Sequence, residues 1–443
     1  MLKHNKKWVV VVLAIILAMF LFAACGNSGG GGTSTPGTSG PSTSTPATGG
    51  APSSIKIGIP NPTTGGLAAF GIGTPWAEKL IEKYVNDAGG IYIEEYGASI
   101  PIECFFVDTE SDATKAVEVT QQLITNNDVD ILIARHTPGT ALPVSQTAET
   151  MKVPFVSLEC PINPWLAGGP YEWGYHSFWY VENNCKMFMD MWEELGYGPG
   201  TVVGGIFPND PDGLAWKPIF ETMLAERGFI LSDPGITEMM QNDWTNVINK
   251  FKADGVQIIT GVPIAPDFAS FSTQAVAQGL NFELATCGRA FLFPSDAEAM
   301  PKEIIPKLSC EVWWSPWHPW TSALTGVTCP ELADAYVAET GQPWSAPMGY
   351  KYAGMEVAVD ALTRAASLEP EKIRDAIAAT NLDTIVGPIK YDPVSHVGET
   401  VIVGGQWRVV DDPSTQLGYR AEIEIVFNDT FPAIPKNGTL IIP

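Results

Sequence analysis

The sequence predicts an α/β protein of two Rossmann-like lobes with parallel sheets, and three observations carry that expectation. Strand-like and helix-like segments alternate from residue 55 onward, an irregular aromatic stretch over 165–180 interrupts them, and the alternation then restarts. Strands alternating with helices are the pattern of a parallel sheet covered on both faces. Residues 55–443 are enough chain for two domains of ordinary size.

The first lobe opens with Ser54-Ile55-Lys56-Ile57-Gly58-Ile59-Pro60, whose alternating isoleucines have the period of a strand. A turn-forming Thr63-Thr64-Gly65-Gly66 follows. Thr74 then serves as a helix cap with Pro75 at the first helical position; Trp76, Leu80, Ile81, Tyr84 and Val85 recur at helical spacing until Gly89-Gly90. The pattern predicts strands over 102–107, 129–134 and 153–157, with helices over 112–125 and 141–151 between them. After the aromatic stretch it predicts helices over 184–195, 214–227, 244–253 and 267–278, and strands over 201–207, 256–261 and 283–286. Ligands of open α/β sheets sit beyond the carboxyl ends of the strands. The loops that matter are therefore 61–73, 135–140, 158–164, 208–213, 262–266 and 287–290.

Ahead of this body, Lys3, Lys6 and Lys7 precede an apolar run from Trp8 to Phe22 that ends in Ala23-Ala24-Cys25. Charge, a short apolar run and small residues, in that order, predict a signal peptide over 1–24. The run is too short to span a bilayer comfortably, and its end resembles a bacterial lipobox, which implies lipid attachment at Cys25. Residues 25–54, a lipidated cysteine followed almost entirely by Gly, Ser, Thr, Pro and Ala, read as a flexible tether. Together these features predict an extracytoplasmic protein held to the cell membrane by Cys25.

Net charge is −24, and because the leader holds three lysines and no acid, the remainder carries −27. Such a body repels nucleic acid and anionic lipid. Six cysteines remain after Cys25: Cys104, Cys160, Cys185, Cys287, Cys310 and Cys329. Outside the cytoplasm they can form disulfides; Cys310 with Cys329 is the favoured bridge, and free buried thiols are the alternative. No Cys-x-x-Cys occurs and the five histidines are scattered, so neither a metal nor another cofactor is expected. Residues 55–443 hold no Gly-x-Ser-x-Gly elbow, the one match to that pattern being Gly26-Asn27-Ser28-Gly29-Gly30 in the tether, and no Gly-x-x-x-x-Gly-Lys loop occurs, which argues against a surface-anchored hydrolase.

The order Ile55-Lys56-Ile57-Gly58-Ile59, Thr64-Gly65-Gly66, Phe70-Gly71 and Val85-Asn86-Asp87-Ala88-Gly89-Gly90-Ile91 resembles the opening of type I periplasmic binding proteins of the leucine/isoleucine/valine-binding family. Val107-Asp108-Thr109, Thr384-Ile385-Val386-Gly387-Pro388-Ile389-Lys390-Tyr391-Asp392 and Gly405-Gln406-Trp407 continue the likeness. The resemblance implies residues 55–178 plus 314–391 as lobe 1 and 179–313 plus 392–443 as lobe 2, with hinge segments near 178–180, 311–314 and 391–396. It also implies a monomer that hands a small carboxylate or amino-acid-like solute, aromatic ones included, to the permease and ATPase subunits of an ABC importer. A ligand sensor docking on a membrane receptor is the alternative.

In that family the loop after the third strand offers hydroxyls and amides to the ligand carboxylate; here it is Arg135-His136-Thr137-Pro138-Gly139-Thr140. The next family loop, Ser-Pro-Gly-Ala-Thr, reads Ser157-Leu158-Glu159-Cys160-Pro161, a departure from leucine-type recognition. A family tyrosine before a glycine corresponds to Asp212, and the acid that meets the ligand amine falls near Gly288-Arg289. The candidate ligand-binding residues are Phe70, His136, Thr137, Thr140, Glu159, Cys160, Tyr180, Asp210, Asp212, Arg289, Trp314 and Trp317. Each has a plainer reading. Phe70 can be core, and Asp210 and Asp212 beside Pro211 and Gly213 can be turn chemistry. Arg289 can answer Asp296 or Glu298, and the indoles of 313–320 can staple the hinge to the first lobe.

Overall fold

Ile55, Ile57 and Ile59 have no exposed surface, and the strand they form, Ile55–Asn61, lies between the parallel strands Ile102–Asp108 and Ile131–Ala134. It belongs to a computed structural model that describes residues 50–412 and 417–443. The leader, Cys25 and nearly all of the tether lie outside the described residues.

The first sheet has six parallel strands in the order Val397–Glu399, Gly174–Phe178, Phe155–Leu158, Ile131–Ala134, Ile55–Asn61 and Ile102–Asp108. The second runs Ile236–Thr237, Val202–Pro208, Ile258–Gly261, Leu284–Cys287, Leu308–Val312, Val403–Val409 and Ala421–Phe427, with Ile230–Ser232 also pairing with Val202–Pro208. Its first members are parallel, while Val403–Val409 pairs antiparallel with both neighbours.

The chain passes between the sheets three times: after Phe178, after Val312, and between Glu399 and Val403. The third passage comes later than the expected 391–396. Val397 and Glu399 pair with His176 and Phe178, so residues 397–399 complete the first sheet before the chain leaves it.

Local signals explain the helices. Asp112 caps Ala113–Thr125 by accepting from the Lys115 amide at 2.8 Å, and Asp210 caps Pro211–Glu226 through the Gly213 amide at 2.8 Å. Thr74 is not the cap of Thr74–Asp87; Gly73 is, at φ 79°, a left-handed conformation that glycine adopts freely. The third helix starts at Thr137, four residues earlier than the expected 141, with Pro138 in its first turn. The sequence pattern did not resolve Met348–Ala365, a helix buried on nearly every side against Thr74–Asp87 and Pro370–Ala378.

The expected Cys310–Cys329 bridge is absent. All six described cysteines are free and buried. Cys310 sits in the second sheet with Sγ beside the Phe291 carbonyl, whereas Cys329 opens a helix and accepts from Trp314 Nε1 at 3.1 Å.

Candidate functional site

The carboxyl ends of the two sheets face one small cavity. The first sheet contributes Phe70, from the loop after Ile55–Asn61, Thr137 from the loop after Ile131–Ala134, and Glu159 with Pro161 from the loop after Phe155–Leu158. Phe178 and Trp179 line it from the first passage between the sheets, Glu311 and Trp313 from the second. The second sheet contributes Asp212, Trp216, Val262 and Arg289.

The first half is held by a buried ionic cluster. His136 Nδ1 lies 2.8 Å from Glu159 Oε2, and Lys351 Nζ lies 3.9 Å from the same oxygen, all three side chains without exposure. Lys351 also donates to the Phe70 carbonyl at 2.7 Å, so one ammonium ties two of the cavity's loops together. Arg135 Nη2 pairs with Glu78 Oε1 at 2.6 Å. Burial lowers His136 to about 3, against the pull of Glu159, so the imidazole beside the carboxylate is neutral. Burial alone would raise Glu159, but Lys351, His136 and Arg135 together hold it down to about 2. Burial brings Lys351 down to about 8 against the attraction of Glu159.

Backbone strain is concentrated here. His136, Thr137 and Glu159 have φ of 73°, 64° and 55°, and Arg289 across the cavity has 49°. Non-glycine residues in that region persist only where their surroundings over-determine them, which is common at binding sites. The Thr137 amide donating to the Glu159 carbonyl at 2.8 Å is one such constraint.

In the second half, Arg289 spans two aspartates, with Nη2 at 2.5 Å from Asp210 and Nη1 at 2.7 Å from Asp212. Its Nε donates to the Val262 carbonyl at 3.1 Å and its amide to Glu311 Oε1 at 3.0 Å. Burial lowers the guanidinium, but Asp210 and Asp212 more than offset that and keep it cationic. Burial pushes Asp212 up against Arg289, and lifts Glu311 to about 7.

Of the candidates read from sequence, Phe70, Thr137, Glu159, Asp212 and Arg289 line the cavity. Arg289 answers Asp210 and Asp212, not Asp296 or Glu298; Glu298 pairs with Arg420. Asp210 stands behind the wall, joining the helix cap to Arg289. The other six do not line it. His136 is the buried support of Glu159. The Thr140 hydroxyl is spent on the carbonyls of Arg135 and His136, because its helix begins early enough to fold that side chain back on the turn. Cys160 is fully buried with Sγ toward its neighbour's carbonyl. Tyr180 lines a separate hollow with Tyr391. Trp314 packs over Gly349, where a Cβ would lie 2.3 Å from the indole, and Trp317 meets Trp344 edge-on at 5.5 Å outside the cavity. Trp179, Trp216 and Glu311 were missed as wall residues. The signal for two of them was present, since Trp179 and Glu311 fall inside the expected hinge segments.

A family model described as "Periplasmic binding protein" matches residues 54–411. The Leu/Ile/Val-binding protein homolog 8 of Brucella abortus (strain 2308) is 21% identical over 378 residues, covering 80% of this chain and 89% of that protein. Among solved structures, the leucine binding protein LivK of Thermotoga maritima MSB8 superposes with a TM-score of 0.70 at 20% identity, covering 84% of this chain and 99% of that one. The solute binding protein of an ABC transporter from Rhodopseudomonas palustris BisB5, solved with 3,4-dihydroxy benzoic acid, gives 0.68 at 17% identity, over 87% and 99% of the respective chains. These identities show a shared fold.

Proposed function

Since the chain belongs to the periplasmic binding protein family, we propose that it is the extracytoplasmic solute-binding component of an ABC importer, taking a small carboxylate or amino-acid-like solute, aromatic ones included, into the cavity between its sheets. One observation carries this reading: Thr137 and Glu159 from one side and Asp212, Arg289 and Glu311 from the other border the same space. A solute there touches both halves, so it binds the closed arrangement better and shifts the population toward it. Two lobes, 55–178 plus 314–399 and 179–313 plus 400–443, then move as bodies about the three passages. The benzoic acid derivative held by the Rhodopseudomonas protein supports an aromatic solute, as does the wall of Phe70, Phe178, Trp179, Trp216 and Trp313. A thermal-shift and fluorescence screen of amino acids, aromatic acids, polyols and sugars tests it. The expected hit perturbs tryptophan emission and adds about 2.7 kcal/mol at a hundredfold excess over Kd; hits confined to neutral sugars would refute the assignment.

The same reading has the mature protein begin at a lipidated Cys25 and work as a monomer beside its permease and ATPase subunits. No helix among the described residues is long and apolar enough to cross a membrane. Mass spectrometry of the membrane fraction is expected to find diacylglycerol on Cys25 and to find Cys25→Ala released. Retention of Cys25→Ala in the membrane with unchanged mass chemistry would remove the anchor.

A further inference from the structure

The cavity combines a continuous aromatic wall with an excess of acid. Phe178 lies 4.6 Å from Trp179 and 4.9 Å from Trp313 between ring centroids, Trp179 lies 5.9 Å from Trp216, and Phe70 lies 6.4 Å from Trp313. Three carboxylates, Glu159, Asp212 and Glu311, share that lining with a single base, Arg289. Arg289 already spends three of its five N–H donors within the protein, one from each terminal nitrogen on Asp210 and Asp212 and that of Nε on the Val262 carbonyl, so its charge is matched before a ligand arrives.

The opposite wall holds the unmet demand. Glu159 is 1% exposed, and neither of its carboxylate oxygens has a hydrogen-bond partner among the described residues, although Oε2 lies 2.8 Å from His136 Nδ1. The Thr137 hydroxyl, 4% exposed, is likewise unpartnered among them. A buried carboxylate oxygen left without a donor is costly, and a ligand that brings positive charge or a donor to it removes the cost. Aromatic faces attract cations as well, most strongly when both are out of water. A solute carboxylate placed against Glu159 would meet an ionised group of its own sign, whereas a cation there meets an opposite one.

We propose that the cavity is selective for a compact organic cation, an alkylated ammonium group seated against the aromatic wall with its charge facing Glu159. This rests on the solute-receptor reading above and narrows it: the cationic nitrogen of the solute is required, and its carboxylate is dispensable. The space between the walls is small, which favours a compact group over an extended one. Lys351 and Arg135, behind the first wall, keep Glu159 ionised, so its charge is present throughout the physiological pH range.

The test is calorimetric titration of the mature protein with tetramethylammonium, choline and glycine betaine, against 3,3-dimethyl-1-butanol (the neutral isostere of choline), benzoate and L-leucine. At least one cation is expected to bind tenfold or more tightly than the isostere. Glu159→Gln is expected to weaken that cation at least tenfold while leaving the isostere within twofold. The comparison on the unaltered protein stands even if Glu159→Gln does not fold. Equal binding of choline and its isostere overturns the proposal, as does the absence of binding by all three cations. Benzoate or leucine binding alone overturns it too while leaving the solute receptor standing, whereas a panel in which nothing binds removes both.

Discussion

Arg135→Leu is expected to lower folding stability by about 3–5 kcal/mol, the cost of leaving a buried ion without its partner. Neither Arg135 nor Glu78 has any side-chain exposure, and their 2.6 Å pair sits in a space made by Gly354, where a Cβ would come within 2.4 Å of the guanidinium. Deleting the cation leaves Glu78 buried, and burial already raises its carboxyl to about 7 with Arg135 in place. Replacing both residues by leucine removes the stranded charge as well as the pair, so the double variant is expected to lose less than Arg135→Leu alone. Urea unfolding of the two variants and the parent measures this. A single-variant loss below about 1 kcal/mol, or a double variant worse than the single, contradicts the account. Arg135 adjoins His136 and Thr137, whose backbones are held at positive φ, so solute affinity is expected to fall in the single variant too.

Stability is expected to fall as pH rises from about 5 to 8. Burial lifts Glu311 and Glu356 from 4.5 to about 7 and Asp296 from 3.8 to about 8, and none of the three has a cation as partner among the described residues. Within that window the folded chain keeps protons that the unfolded chain has lost. Raising the pH therefore favours unfolding, and the stability present below the unfolded values is lost as pH passes through the folded ones. Each group that differs by a full proton contributes about 1.4 kcal/mol per pH unit. Glu159, held down to about 2, and His136, His176 and His318, each lowered by burial to about 3, work in the other direction, but Glu78, Asp130 and Asp212, all raised by burial, join the first three acids and outweigh them. An optimum on the acid side of neutrality follows. Chemical denaturation at pH 5 and pH 8 measures it, and Asp296→Asn is expected to flatten the slope; equal stability at both values would refute the buried acids' role.

Much of the first sheet was legible because its residues carry their burial in their period. Ile55, Ile57 and Ile59 alternate, and the helices that follow are bounded by Gly89-Gly90 and Asp112. The helix Met348–Ala365 was not legible, since it is buried nearly all round and hides Lys351 and Glu356 inside an apolar surface, leaving no amphipathic stripe to read. Loop positions at the carboxyl ends of strands identified Thr137, Glu159, Asp212 and Arg289, because topology alone puts such loops together.

Partners were harder than positions. Asp296 and Glu298 are the near neighbours of Arg289 in sequence, but Asp210 and Asp212 reach it from the loop after Val202–Pro208, two strands away in the sheet. The indoles show the same limit. Consecutive side chains near a strand end point to opposite sides, so Trp313 enters the cavity while Trp314 turns to Cys329, and a run of tryptophans does not announce which one faces in. Trp179 was passed over for Tyr180 for the same reason, and only the former borders the site.

The central claim is that a solute held between the sheets closes the molecule. Thr137, Glu159, Asp212 and Arg289, two from each side, are all buried around the cavity, as a closed arrangement requires. Small-angle scattering of the mature protein, titrated with a solute found in the screen, measures closure directly. The account predicts a radius of gyration that is larger than the structure's without solute and contracts to match it at saturation. A saturated protein whose radius equals that of the free one would contradict it.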